Sequence, residues 1–500
     1  MPPNAGICAH QRVPFALLAC STVKHQVKPT CPGRSATAGQ GLVLDACAQN
    51  APRGALAEPI SSERSASGLR AGTSRAVPSG PMARVTITSC MYLGDVAPFI
   101  PVARRLHEAG HDVTFVAPGG FGSFLEPEAF TYARYALDCS PNAIDADPVH
   151  TKLMRHAFVN AGRLATYWMD RAFADDPEAA VASLRAGMTG ADVVITHPTM
   201  ASVTLPLARS VGAAVVVGHL FPMMIPTAAW TPPLYSRSPR LPTPLNRAAW
   251  QLLRAASTVL FRDREINDLR RSCGLAPLRG NAGWAWIEAD TTVTLASRHY
   301  YGDGAPDWPP VVWGGFSIWA GSAQHVLDPY LSDYIDAGTP PVVVTLGTSA
   351  ATGAGARFAG VASDLDAAGL RSVLLVGHER NLEPVRSHPA AVTFAPLTSL
   401  LPRSSVAVVS GALGGLAAAL CAGVPVVAHP QMVDQVWHAR RVTELGVGLA
   451  ARRVSDIGPA VVRVTSEPAF TDRARALAAS MAGEDGPGAV VAAVEQLVGG

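Results

Sequence analysis

From Arg84 onward, short unbroken apolar runs alternate with longer stretches in which apolar residues recur every three or four positions. RVTITS, VTFVAP, ADVVITHP and GAAVVVGH are rich in β-branched residues and end in Ser, Pro or His. Runs of this kind predict strands buried on both faces of a sheet. Between the first two, LGDVAPFIPVARRLHEAGHDV places Phe99, Val102, Ala103 and Leu106 on one helical face. Arg104, Arg105 and Glu108 fall on the other side, and Gly110 follows as a stop. A strand, a helix and a strand of this length predict a parallel sheet with right-handed crossovers.

A second series with the same rhythm starts near Pro341. PVVVTLGTS, RSVLLVGH, AAVTFAP, VAVVSG and VPVVAHP are short apolar runs ending in Gly, Ser, Thr, His or Pro, several of them separated by helical patterns. Seven prolines between Pro222 and Pro244 exclude a regular element there and predict a long loop, with a helix over LNRAAWQLLRAAS after it. The stretch PDWPPVVWGGFSIWAGSAQHVLDP, at 306–329, reads as the connection between two halves. The expected division is an N-terminal Rossmann-like domain over 82–310, a linker over 311–330 and a C-terminal Rossmann-like domain over 331–500. The predicted fold is α/β: two doubly wound domains facing across a cleft, with ligands at the carboxyl ends of the strands.

One segment tests this reading. Val406–Ala428 carries no charge and is long enough to cross a bilayer. Gly423 and Pro425 interrupt it, and its flanks continue the α/β rhythm, so a strand followed by a buried helix is expected instead.

Composition changes the picture mainly at the start of the chain. Residues 1–81 hold eight Lys or Arg against three Asp or Glu, one aromatic residue (Phe15) and four of the eight cysteines, with no sustained apolar period. They are expected to form a disordered extension or to precede the start that the cell uses, since Met82 opens MARVTITSC like a natural beginning. A targeting peptide is the other reading of so basic a start. The net charge of +2 announces no nucleic-acid partner. Cysteines without a CxxC or metal-ligand spacing point to a reduced, cytoplasmic protein with no metal site.

Candidate chemistry sits at the predicted strand ends. Gly347–Ser349 offers two hydroxyls and backbone N–H groups that could cradle a phosphate without charge. SGALGG, from Ser410 to Gly415, repeats that arrangement before a small-residue helix, whose dipole favours an anion. Close helix–strand packing demands the same small residues, and both readings stand. Asp434 and Gln435 follow a strand directly and offer acceptors and donors suited to sugar hydroxyls, or else Asp434 caps the next helix. Asp95 in LGDVAP is either a helix N-cap or a base directed into the cleft. His197, His219, His378 and His429 each end a strand, where a ligand or the backbone can satisfy them.

Taken together these segments resemble the family-1, GT-B-fold glycosyltransferases that use nucleotide sugars, over about residues 84–485. GDVAPFIPVARRLHEAGHDVTFVAP is similar to that family's first strand–helix–strand unit. VVVTLGTS is similar to its phosphate-contacting strand end. FAPLTSLLPRSSVAVVSGALGGLAAALCAGVPVVAHPQMVDQVWHARRVTELGVG resembles its donor-binding signature, most specifically in GVPVVAHPQMVDQ. PDWPPVVWGGFSIW and LGDVAPFIPVARRL look most like the bacterial rhamnosyltransferase and macrolide or glycopeptide branches. The resemblance implies Asp95 as the base that activates the acceptor. It implies Thr348 and Ser349 as phosphate contacts, and Phe394 and Leu397 against the nucleobase. It implies Ser410, Gly411, Gly414 and Gly415 around the diphosphate, and Asp434 and Gln435 on the sugar. His197 and Trp230 are expected on the acceptor side.

The implied reaction moves a sugar from a UDP- or dTDP-sugar to a hydroxyl of an apolar small-molecule or lipid acceptor, with inversion. The nucleotide sugar is a co-substrate, and neither cofactor nor metal is expected. No transmembrane segment is expected, and peripheral membrane contact is compatible with an apolar acceptor. Two positions depart from the family: Ser410 stands where a His usually donates to the diphosphate, and Leu416 where a hydroxyl residue often stands. A charge-assisted bond is worth about 1.5–3 kcal/mol against about 1 for a neutral one, so donor binding should weaken roughly tenfold unless another group such as Arg403 helps. A non-catalytic glycosyltransferase-like accessory protein is therefore the rival reading. A nicotinamide dehydrogenase is disfavoured because SCMYLGD lacks the GxGxxG that should follow the first strand.

Overall fold

A computed structural model describes residues 82–499 apart from Met91, 136–146, 155–162, 165–166, 168–176, 234–240, 261–262, 279–281, 322–325, 348–353 and Met432. The extension 1–81 lies outside the described residues, as do Thr348 and Ser349.

The first half builds a seven-stranded, all-parallel sheet. Its strands are β1 (Arg84–Thr88), β2 (Asp112–Pro118), β3 (Thr131–Tyr135), β4 (Val193–Thr196), β5 (Ala214–His219), β6 (Thr291–Thr294) and β7 (Val312–Trp313). They lie in the order β3-β2-β1-β4-β5-β6-β7. The helix Phe99–Glu108 buries the expected face: Phe99, Val102, Ala103 and Leu106 are inaccessible to solvent. Gly110 ends the turn at φ +88°, a left-handed conformation that a side chain would strain.

The second half builds a six-stranded parallel sheet in the order β10-β9-β8-β11-β12-β13. The strands are β8 (Val342–Thr345), β9 (Ser372–Leu375), β10 (Ala391–Val392), β11 (Val406–Val409), β12 (Val426–Ala428) and β13 (Gly448–Ala450). The uncharged segment 406–428 is β11, the buried helix Leu413–Cys421 and β12. No helix among the described residues is long and apolar enough to cross a membrane. In the proline-rich loop the described residues hold a short 3-10 turn, Pro222–Met224, and the helix after it runs from Thr243 to Leu260.

The two sheets share one strand-order rule. Each reverses direction once, between β1 and β4 and between β8 and β11. Crevices at such reversals are where parallel sheets hold ligands. The connection between the halves is pinned to the first sheet's edge. Gly314 N–H donates to the Thr294 carbonyl (3.1 Å), and Ser317 Oγ donates to the Pro98 carbonyl (2.6 Å). At the other end of the second half the chain turns back. Its last helix, Gly486–Gly499, buries Val490, Val491, Ala493 and Val494 in the same core as Val85, Ile87, Phe99 and Phe115 of the first half.

Candidate active site

The loop after β1 carries Asp95 and the loop after β4 carries His197, so the first sheet's reversal brings together two residues about a hundred positions apart. Asp95 sits inside a short helix, Leu93–Val96, whose N-cap is Tyr92; the helix Phe99–Glu108 starts after Pro98 with no side-chain cap. The N-cap reading of Asp95 therefore does not hold, because Pro98 separates its side chain from the helix it would have capped. The backbone is held instead by Ser89, whose Oγ donates to the Asp95 carbonyl (2.7 Å). The carboxylate Oδ1 lies 3.5 Å from His197 Nε2.

His197 is 1% exposed, and its side chain reaches Asp95 rather than the open cleft. Its Nδ1 meets the Thr199 hydroxyl at 2.7 Å and the Thr199 backbone N–H at 3.2 Å, while the Cys90 sulfur stands 3.7 Å away. Phe99 and Phe221 close its ring edge-on. Burial works against a charge here. The Cys90 sulfur and the Asp95 carboxylate outweigh it and lift the His197 pKa to about 10. The three other strand-end histidines have backbone partners. His219 accepts from Phe221 N–H (3.2 Å), and burial, with His197 nearby, pushes its pKa down to about 3. His378 accepts from Arg380 N–H (3.2 Å), and His429 Nδ1 donates to the Ala451 carbonyl (2.9 Å).

On the other side of the cleft the second sheet's reversal gathers three turns. Gly347, after β8, has φ +74°, and a Cβ there would meet Ser410 Oγ at 3.3 Å. Ser410 follows β11 directly, is 2% exposed, and accepts from Ala412 N–H (3.3 Å). Gly411 has φ +86°, and a Cβ there would stand 3.1 Å from the Gln435 carbonyl. The helix Leu413–Cys421 has Ala412 as its N-cap, which offers its first N–H groups no side-chain cap. A Cβ at Gly414, in that first turn, would meet none of the described residues within 4 Å, and one at Gly415 would make ordinary contact, 3.7 Å from Thr345 and Val409.

Asp434 lies in the first turn of the helix Val433–Leu445, and Gln435 is 2% exposed, its Oε1 accepting from Gln431 N–H (2.8 Å). Burial raises the Asp434 pKa to about 6 against the opposing pull of the Asp434 and Gln435 backbone N–H groups. The Asp95 carboxylate, from the first half, adds to the rise.

Beside these groups a cavity of about 210 Å³ runs between the halves. Leu93, Gly94 and Pro98 line it from the first half, Phe316 and Trp319 from the connection, and Gly347, Phe394, Leu397, Ser410 and Gly414 from the second. Phe394 is 42% exposed and tilts against Trp319, with ring centroids 6.3 Å apart. Trp230 stands apart from this group: its ring meets Trp308 edge-on at 5.1 Å, and its carbonyl accepts from Trp250 Nε1 (3.0 Å). Arg403 does not reach the site either, being held by Ser332 (3.0 Å) and Asp336. Sequence reasoning passed over Cys90, Thr199 and Trp319, which have no motif of their own. The one available signal was Thr199 two residues after a strand-end histidine.

Comparison with known proteins agrees with this geometry. Residues 362–497 match the family described as erythromycin biosynthesis protein CIII-like, C-terminal domain. Glycosyltransferase GtfE of Amycolatopsis orientalis is 26% identical over 377 residues, covering 73% of this chain and 85% of that protein. Among solved structures, the glycotransferase of kitacinnamycin matches with a TM-score of 0.62 at 18% identity, covering 84% of this chain and 100% of the other. The glycosyltransferase VinC in complex with DTDP matches with a TM-score of 0.58 at 18% identity, covering 83% and 99%. Two parallel-sheet domains on the GT-B plan, a match over 362–497 to an erythromycin CIII-like C-terminal domain and relatives that are glycosyltransferases make this chain similar to the GT-B glycosyltransferases.

Proposed function

We propose that the chain transfers a sugar from a UDP- or dTDP-sugar to a hydroxyl group of an apolar acceptor, with inversion at the anomeric carbon. The observation that carries this is one cavity lined by Leu93, Gly94 and Pro98, which bracket Asp95 in the loop after β1, and by the Gly347, Ser410 and Gly414 turns of the second half. VinC was solved with DTDP, which favours a nucleoside-diphosphate donor. The first half, 82–310, takes the acceptor and the second, 331–500, takes the donor. Phe394 and Leu397 meet the base. Thr348 and Ser349, with the N–H groups around Gly414, meet the diphosphate. Asp434 and Gln435 meet the sugar hydroxyls.

The acceptor oxygen attacks the anomeric carbon as Asp95 takes its proton, and the bond from that carbon to the diphosphate oxygen breaks. The diphosphate leaves with the electron pair onto N–H groups already aimed at it. His197 serves the acceptor through Asp95. Its Nε2, 3.5 Å from Asp95 Oδ1, helps fix the direction of the other carboxylate oxygen. No metal enters this scheme. The apolar lining suits a natural-product or lipid acceptor, with the protein in the cytoplasm and in peripheral contact with membrane where the acceptor is a lipid.

The test is a transfer assay with UDP- and dTDP-sugars against a panel of hydroxylated macrolide, peptide and polyketide aglycones, read by mass spectrometry. A product heavier by one hexose or deoxyhexose, with release of nucleoside diphosphate, supports the reading. Binding of nucleotide sugar without transfer or hydrolysis would favour an accessory protein that has kept the fold. Ser410 in the diphosphate turn is the feature that makes this second outcome worth testing.

A further inference from the structure

The diphosphate site proposed above has a missing charge. A leaving nucleoside diphosphate carries two or more negative charges, and Ser410 offers it only a neutral hydroxyl that already accepts from Ala412 N–H. Arg403 is committed to Asp336 and Ser332. Among the described residues, one other cation stands at the carboxyl edge of the second sheet next to these turns. Arg357 lies in the first turn of the helix Gly355–Ala367, which follows the loop after β8. Its guanidinium donates through Nη1 to Gln431 Oε1, in the loop after β12.

The sheet order gives this contact its meaning. β8 and β12 flank β11, and Ser410 follows β11 directly. A side chain that starts after β8 and is held after β12 spans the end of β11. The contacts form a series. Gly347 abuts Ser410, Gly411 abuts Gln435, Gln435 Oε1 holds Gln431 N–H, and Gln431 Oε1 holds Arg357. Arg357 is half-buried, and it has no carboxylate partner among the described residues. Burial displaces its pKa downward. The amide nitrogen of Gln431 is itself buried without a hydrogen-bond partner among the described residues. Burying a cation without a counter-ion is costly, and such groups are ordinarily paired. An incoming anion would supply the missing partner.

We infer that Arg357 binds the diphosphate of the donor, supplying from the β8 side the positive charge that Ser410 does not carry. The inference rests on the nucleotide-sugar reading above and names a residue for that site. Arginine suits the task because its planar fork can keep one N–H on Gln431 and turn others to phosphate oxygens.

The experiment measures binding of dTDP, UDP, thymidine and uridine by calorimetry to the wild-type chain and to Arg357→Gln and Arg357→Lys. Gln keeps a hydrogen-bond donor for Gln431 but no charge, and Lys keeps the charge without the fork. Arg357→Gln should weaken the diphosphates by about ten- to a hundredfold, the range of a lost charge-assisted bond, and leave the nucleosides unchanged. Arg357→Lys should recover part of that loss. Undiminished diphosphate affinity in Arg357→Gln overturns the assignment while leaving the nucleotide-sugar reading intact. Equal losses for diphosphate and nucleoside also overturn it, since they would mean that Arg357 only shapes the pocket through Gln431. A wild-type chain that binds neither diphosphate would overturn the nucleotide-sugar reading and this inference together.

Discussion

Replacing Asp434 with Asn should stabilise the protein and weaken its grip on the donor sugar at once, and pH separates the two effects. Burial and the Asp95 carboxylate raise the Asp434 pKa from 3.8 to about 6. One pKa unit corresponds to about 1.4 kcal/mol, so the ionised form costs the folded state up to about 3 kcal/mol; partial exposure brings this to about 1–3. Below pH 4 the group is protonated in folded and unfolded chains alike and costs nothing. Between about pH 4 and 6 the unfolded chain releases the proton while the folded one keeps it, so stability falls as pH rises. Above about 6 the full cost persists. Asp434→Asn removes it, and the melting temperature at pH 8 should rise by several degrees, at about 2–4 °C per kcal/mol for a domain of this size. At pH 4 the two proteins should melt together. Nucleotide-sugar affinity should fall about three- to thirtyfold as a charge-assisted bond becomes neutral, with the bare nucleoside diphosphate unaffected. In the wild type, that affinity should climb as pH passes through 6, a rise that Asp434→Asn should lack. Scanning calorimetry and titration calorimetry at pH 4, 6 and 8 provide the readout. An Asn variant less stable than wild type at pH 8 would refute the argument, because the carboxylate would then be a net stabilising helix-terminus charge.

Three further substitutions probe the remaining groups. Asp95→Asn should lower kcat at least a hundredfold while moving the melting temperature only a few degrees, since the side chain caps no helix; near-normal turnover would remove the base assignment. Ser410→His should tighten dTDP binding about tenfold, read by thermal shift, and leave the acceptor KM unchanged. Gly411→Ala should cost about 1–3 kcal/mol of stability and weaken diphosphate binding, because φ +86° is strained for alanine and the new methyl would meet the Gln435 carbonyl at 3.1 Å. A circular-dichroism melt unchanged from wild type would show that the turn relaxes.

Strands buried on both faces were legible because their apolar runs need no partner to be recognised, and β1, β2, β4, β5, β8, β9, β11 and β12 lie where those runs lie. β3 (TYARY) was not legible, because only Tyr135 of its five residues is buried. β6 (TTVT) hides its single aliphatic residue among threonines, β13 has three residues and β7 only two. The candidate site was legible where it rests on a local motif: Gly411, Gly414, Asp434 and Gln435 follow strand ends in sequence as they do in space. It was not legible where strand order decides it. Nothing in the sequence separates His197 from His219, His378 and His429, each ending a strand. Only the placement of β4 beside β1 brings His197 to Asp95. Arg357 was invisible for the same reason, since its partner Gln431 comes from two strands away in the sheet.

The return of the helix Gly486–Gly499 to the first half has a consequence for how the molecule is made. Val490 and Val494 are inaccessible to solvent in the core that also holds Phe99 and Ile87, nearly four hundred positions earlier. A ribosome releases those late residues only after the whole second half has been synthesised. The earlier half therefore emerges first yet lacks a wall of its own interior for most of translation, exposing apolar surface of the kind that chaperones hold. The second half has no such debt to later sequence. Assembly is thus expected to run against the order of synthesis, the later half setting first and the earlier half sealing last.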